Sequence, residues 1–118
     1  MLINLSNHPS RYWDKKQIEA SQGFGELIDM LFPLIKPDAS DDELEELSKE
    51  YVKNIVSLGN PKSITVHIMG EMTFTFMVVA KLKKLGIKCI ASTTERKTTY
   101  NDEGTKLSEF SFVKFREY

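Results

Sequence analysis

A layered α/β fold, with a mixed sheet that is parallel in its core and closed by a C-terminal antiparallel arm, is the architecture this sequence predicts. Residues 64–92 read as strand, glycine turn, helix and strand in immediate succession, a βαβ unit, which is right-handed and parallel in nearly all proteins. A short apolar run, Leu2 to Leu5, stops in a cluster of turn formers, and a capped amphipathic helix lies between it and the βαβ unit. With 118 residues, against about 150 for a typical domain, residues 1–118 are expected to form one domain.

The first strand, Leu2 to Leu5, exits through Ser6-Asn7-His8-Pro9-Ser10. Asp14 to Gln22 fits a helix broken by Gly23 and Gly25, and Leu27 to Leu31 fits a short strand ending at Phe32-Pro33. Ser40-Asp41-Asp42-Glu43 is a capping box: the Ser oxygen takes a free amide of the first turn and Glu reaches back to the cap's own amide. Leu44, Leu47, Tyr51, Ile55 and Leu58 then recur at helical spacing, leaving Glu45, Glu46, Lys49 and Lys53 to water until Gly59-Asn60-Pro61 ends the helix. Ile64 to Met69 is a strand, Gly70-Glu71-Met72-Thr73 leads into a helix ended by Gly86, and Ile87 to Ala91 is the next strand. The first half of that helix is apolar nearly all round (Met72, Phe74, Phe76, Met77, Val78, Val79), so a neighbouring element or a second subunit is expected to cover what the sheet does not. Residues 92–118 read as an extended arm turning at Asn101-Asp102-Glu103-Gly104. Phe110, Phe112, Val113 and Phe115 face both sides of it, which places this strand inside a layered sheet. The sum is a three-layer Rossmann-like domain.

Composition narrows the function classes. With 41% hydrophobic and 28% charged residues the chain is neither disordered nor collagen-like. Sixteen Lys and Arg against seventeen Asp and Glu give no global positive field for long nucleic acid, so any polyanion needs a local site. One cysteine, Cys89, rules out an internal disulfide and a multi-cysteine zinc site, and two histidines lack metal-ligand spacing; no metal and no cofactor are expected. No apolar stretch nears the roughly 18 residues of a membrane span, and the first residues lack a signal-peptide layout, so a cytoplasmic location without a membrane partner is expected. No GxGxxG or Walker pattern is present, which argues against a standard dinucleotide or ATP site.

Three strands end in polar loops: Ser6-Asn7-His8-Pro9-Ser10, Gly70-Glu71-Met72-Thr73, and Ser92-Thr93-Thr94-Glu95-Arg96. In an open parallel sheet the carboxyl ends of the strands share one edge, and ligands bind in the crevice where the strand order reverses. Ser6, Asn7, Ser10, Gly70, Thr73, Ser92, Thr93 and Thr94 are therefore the ligand-binding candidates, and His8, Glu71 and Arg96 the catalytic ones. Hydroxyls, exposed amides and an Arg fork suit a phosphodiester or ribose, and imidazole is the ordinary side chain that titrates near neutrality. Each has a plainer reading. Ser10 can cap a turn, and Glu71 can occupy the very helix amides a phosphate would use. Thr93, Thr94 and Arg96 can be ordinary strand residues. His67, flanked by Val66 and Ile68, reads as a hydrogen-bonded structural histidine.

The opening Leu2-Ile3-Asn4-Leu5-Ser6-Asn7-His8-Pro9-Ser10, the run Val66-His67-Ile68-Met69-Gly70-Glu71-Met72-Thr73 and the run Ala91-Ser92-Thr93-Thr94-Glu95-Arg96 together resemble the small stand-alone CRISPR-associated proteins of type III systems, related to the CRISPR-associated Rossmann-fold (CARF) domains and including ring nucleases. The resemblance implies a single CARF-like domain that forms a homodimer, with higher assembly as an extension, holding cyclic oligoadenylate, the four-membered ring first, across its two-fold axis. It also implies metal-independent cleavage in which the ribose 2′-hydroxyl attacks its neighbouring phosphate. Arg96 would then stabilise charge, Ser6, Asn7, Thr73 and Thr94 would position phosphate or ribose, and His8 or Glu71 would move a proton. No Arg-His ribonuclease motif of the effector kind is legible. Two other classes stay open: sequestration of the ring without cleavage, and an enzyme or regulator for an unrelated nucleotide on the same scaffold.

Overall fold

Strand order and helix placement follow from which segments are apolar on two faces and which on one. The computed structural model describes residues 1–118. Its elements run β1 (Leu2–Ser6), a 3-10 turn (Ser10–Tyr12), α1 (Lys15–Ser21), a 3-10 turn (Gln22–Phe24), β2 (Leu27–Leu31), α2 (Asp41–Val56), a 3-10 turn (Pro61–Ser63), β3 (Thr65–Met69), α3 (Met72–Lys84), β4 (Lys88–Tyr100) and β5 (Lys106–Glu117). The five strands form one sheet in the order β2-β1-β3-β4-β5. β1, β2, β3 and β4 pair in parallel and β4 pairs with β5 antiparallel, so the fold is Rossmann-like with three layers, as expected. The order reverses between β1 and β3, which sets the crevice beside the ends of those two strands.

Strand alternation divides the sheet into two unlike faces. Ile3, Leu5, Val66, Ile68 and Cys89 point to the layer formed by α2 and α3, meeting Val52, Ile55, Phe74, Val78 and Leu82 in the main core. The opposite side of the same strands carries Leu2, Asn4 and Ser6 from β1, His67 from β3 and Ile90 from β4, with Asn4 level with His67 and His67 level with Ile90. There Leu2, Ile90 and Trp13 form a small second core beside α1. All five β1 residues are buried, as a central strand requires.

The serine half of the capping box forms: the Ser40 hydroxyl oxygen accepts from the Glu43 amide at 3.1 Å. The buried stripe of α2 is Leu44, Ser48, Val52 and Ile55, whereas Leu58 lies past the helix end and is exposed. Glu45, expected in water, instead pairs with Lys81 of α3 at 2.9 Å, so a charge crosses between the two helices that share the main core. On α3, Met72 and Phe76 are 81% and 74% exposed, so no element of the chain itself covers that part of the helix.

The C-terminal arm departs from expectation. β5 is an edge strand, not an inner one, and its pairing slips between Thr93 and Thr94: Thr93 faces Lys114 but Thr94 faces Phe112. Val113 is the extra residue of a β-bulge. The bulge resets the alternation, so that Phe110, Phe112 and Phe115 all share one face, level with Arg96, Thr94 and Ser92. The pattern that reads as apolar on both sides is one apolar side with a slip in it. Beyond Ile90 β4 loses its β3 partner and the β4–β5 ribbon leaves the sheet. The radius of gyration, 16.2 Å, therefore exceeds the roughly 13.5 Å of a compact domain of this length.

Gly70 has a packing reason. A Cβ there would collide with the ring of Phe32, which is buried and lies edge-on to Phe74 at 5.4 Å. Gly70→Ala is expected to lower stability in urea by about 1–3 kcal/mol, the range for overpacking a filled site. Combining it with Phe32→Leu should cost less than the sum of the two single changes, because the second removes the obstacle the first meets.

Candidate functional site

A cleft of about 600 Å³ opens at the carboxyl ends of β1 and β3, lined by the β1 exit loop, the start of α1, the end of β3 and the base of the β4–β5 ribbon. Of the residues the sequence singles out, Ser6, Asn7, His8, Gly70, Ser92 and Thr94 line it. The ends of β1 and β3 thus converge as expected, whereas the run at residues 92–96 is no loop after a strand: β4 continues to Tyr100 as the ribbon with β5, and Ser92 and Thr94 reach the cleft from within it. Tyr12, Asp14, Gln17, His67, Met69, Phe110 and Phe112 complete the lining.

Under the cleft lies a hydrogen-bond network that ties four strands, β1 to β4, together. Asn4, 1% exposed, donates through Nδ2 to the Asp29 carboxylate of β2 at 2.8 Å and to the His8 carbonyl at 2.9 Å. Its Oδ1 accepts from the Ser6 hydroxyl at 2.8 Å and lies 2.9 Å from His67 Nδ1. An amide oxygen only accepts, so Nδ1 carries the proton of His67 and Nε2 is the lone-pair nitrogen. Nε2 is 2.7 Å from Ser92 Oγ, whose hydroxyl donates to it, while Ser92 Oγ accepts from Gln17 Nε2 at 3.0 Å. With Asn4 Oδ1 on one ring nitrogen and the Ser92 hydroxyl on the other, His67 is held as one neutral tautomer. Trp13 stands edge-on to His67 at 5.3 Å and donates through Nε1 to the His8 carbonyl at 3.0 Å, so the loop bearing His8 is held from below.

Burial, with the neighbouring His8 adding to it, pushes the His67 pKa down to about 4. Desolvation alone would raise the Asp29 carboxyl, but hydrogen bonds from Asn4 and Ser10 and the Arg11 charge outweigh it and hold Asp29 below the ordinary carboxylate value. Ser10 serves this carboxylate, donating from its hydroxyl at 2.7 Å and from its amide at 3.0 Å. It anchors the exit loop to β2 and does not line the cleft.

The other candidates also lie outside the cleft lining. Glu71 is the N-cap of α3: its carboxylate accepts from the Thr73 and Phe74 amides at 3.0 and 2.8 Å and from the Thr73 hydroxyl. The Phe74 amide bond, then the Thr73 hydroxyl and amide bonds, hold its pKa below the usual carboxylate value. It occupies the amides a phosphate would need and caps the helix, and the Thr73 hydroxyl is spent on that carboxylate. Thr93 joins the bulge, its hydroxyl donating to the Lys114 carbonyl at 3.0 Å. Arg96 sits on the exposed ribbon, donating to Ser108 Oγ at 3.2 Å. Asn4, Asp29 and Gln17 were not singled out in the sequence; the signal they offer is a lone polar residue within an apolar strand or turn of helix. No group of three or more His, Cys, Asp or Glu side chains comes together to hold a metal ion. No helix is long and apolar enough to cross a membrane.

A strand-end cleft at the order reversal of an open, mainly parallel sheet is where Rossmann-like folds place their sites, which makes it the candidate site here. The chain belongs to the Uncharacterized protein MJ1673 family, whose profile matches residues 1–116. No curated protein matches it.

The neutral His67 makes a pH signature. Its folded pKa of about 4 lies below the 6.5 of the free side chain, so between these values the unfolded chain binds more protons. The stability this adds is complete above pH 6.5 and is lost as the pH falls toward 4, about 3 kcal/mol in all. Urea unfolding across that window should show the loss in the wild type and a flatter profile in His67→Gln.

Proposed function

We propose that the protein binds cyclic oligoadenylate, the tetra-adenylate ring first, in the strand-end cleft of a homodimer and lowers its level by metal-independent cleavage, switching off type III CRISPR signalling. The observation that supports this reading is the convergence of the β1 and β3 ends with the inner part of β4 on one cleft, whose lining offers Ser6, Asn7, His8, Ser92 and Thr94 to a ribose-phosphate ligand. Cleavage by the ligand's own 2′-hydroxyl asks little covalent chemistry of the protein: it must hold the 2′-oxygen, phosphorus and leaving 5′-oxygen in line and assist the proton. His8 is the exposed imidazole of the cleft and takes the proton role, since His67 spends both ring nitrogens on Asn4 and Ser92. Arg96 belongs to the ribbon and reaches the phosphate from the cleft's rim or from the second copy.

One observation favours sequestration as the second reading. The cleft lining contains no Lys or Arg, so within one chain no cation is built into it to stabilise phosphoryl charge. Incubating the protein in EDTA with a large molar excess of cyclic tetra-adenylate separates the two. The cleavage reading expects linear products well beyond one equivalent, with His8→Ala slowing turnover by roughly two orders of magnitude while binding persists. Ring depleted only to stoichiometry, and uncut, means sequestration; a ring that is not bound at all overturns both.

A further inference from the structure

Two aromatic side chains that do no packing work stand at the cleft. Tyr12 is 62% exposed and Phe110 69% exposed, although both line it, one from the turn after β1 and one from β5. Burying aromatic surface is among the strongest contributions a side chain makes to a fold, and leaving two such rings in water beside a polar floor forgoes it. Each ring also carries an arginine. The Arg11 guanidinium lies 4.6 Å from the centroid of the Tyr12 ring, and that of Arg96 lies 6.0 Å from the centroid of Phe110.

Both rings are held in place by residues that do not line the cleft themselves. The turn bearing Tyr12 is closed by the Tyr12 amide donating to the Pro9 carbonyl at 3.0 Å and is tied to β2 through Ser10 and Asp29. Phe110 shares a side of β5 with Phe112, two residues on, and the bulge at Val113 brings that side onto the face of Thr94, Ser92 and Phe115. Were β5 to alternate regularly through Val113 with Phe115 kept beside Ser92, Phe112 and Phe110 would fall on the far side of the ribbon.

We propose that Tyr12 and Phe110 are the stacking faces for the bases of a nucleotide ligand, with Arg11 and Arg96 meeting the phosphates that follow each base. This rests on the nucleotide reading of the cleft and adds its specificity: the ligand is a nucleotide recognised through exposed bases, purines before pyrimidines because their stacking area is larger. It also accounts for a cleft without cations in its lining, since the positive charge is stationed on the aromatic rings at its mouth. The floor supplied by Ser6, Ser92 and Gln17 then meets the sugar.

The test is equilibrium binding of cyclic tetra-adenylate, linear tetra-adenylate and linear tetra-uridylate to the wild type and to Tyr12→Ala, Phe110→Ala, Tyr12→Phe and Phe110→Tyr. Trp13 fluorescence reports on an intact fold, because its ring is buried beneath the His8 loop. The proposal expects each alanine variant to weaken adenylate binding roughly tenfold or more, the scale of one lost base–aromatic stack, the aromatic replacements to retain it, and uridylate to bind more weakly than adenylate. If linear adenylate binds with this pattern and the ring does not, the base subsite stands and the cyclic-ligand reading fails. If the ring binds equally well to both alanine variants, the base subsite fails and the cyclic-ligand reading stands. Variants that lose self-association while keeping nucleotide affinity overturn the proposal in favour of a contact between copies.

Discussion

One oxygen organises the molecule: Asn4 Oδ1, buried in the central strand, accepts hydrogen bonds from His67 Nδ1 and from the Ser6 hydroxyl. A buried polar group left without partners costs stability, so β1, β2 and β3 must sit in the one register that brings Asp29, Asn4 and His67 level. A slip of one residue would also turn Ile3 and Leu5 away from α2 and α3. Apolar burial on one face and polar satisfaction on the other therefore demand the same alignment. The cleft lies where the polar face reaches the strand ends. Its floor is fixed by the network that fixes the sheet.

Much of this was legible in the sequence because it is local. The βαβ unit, the Ser40 cap, the turn after Ser6 and the Asn101–Gly104 turn each depend on neighbours a few residues away. The competition between Glu71 and a phosphate for the α3 amides was also visible, since an acid directly before a helix has few better uses. The network was not legible as a whole. Asn4, Asp29 and His67 each look like one polar residue in an apolar strand, and only the pairing of strands brings them together. The arm was misread for a related reason. Periodicity assumes unbroken alternation, and a single extra residue at Val113 turns one apolar face into the semblance of two.

The same distinction applies to the site. Residue types at strand ends point to a polar cleft, and Ser6, Asn7, His8, Ser92 and Thr94 line it. What sequence chemistry cannot apportion is which polar groups are spent on the fold. Ser10, Glu71 and Thr73 are spent holding a loop and capping a helix, whereas Tyr12 and Phe110, unremarkable as sequence, remain unspent at the mouth. The molecule thus separates a hydrogen-bonded floor from a rim of exposed aromatic rings with arginines beside them, the contrast on which the proposed nucleotide reading draws.

The most direct measurement is imidazole nitrogen NMR of labelled protein at neutral pH, with and without cyclic tetra-adenylate. The account predicts one histidine, His67, in the neutral Nδ1–H tautomer with signals indifferent to the ligand, and a second, His8, whose signals move when the ligand is added. A His67 that is protonated or exchanges between tautomers at neutral pH would contradict the pre-set floor, and a His8 that ignores bound ligand would contradict the placement of the site.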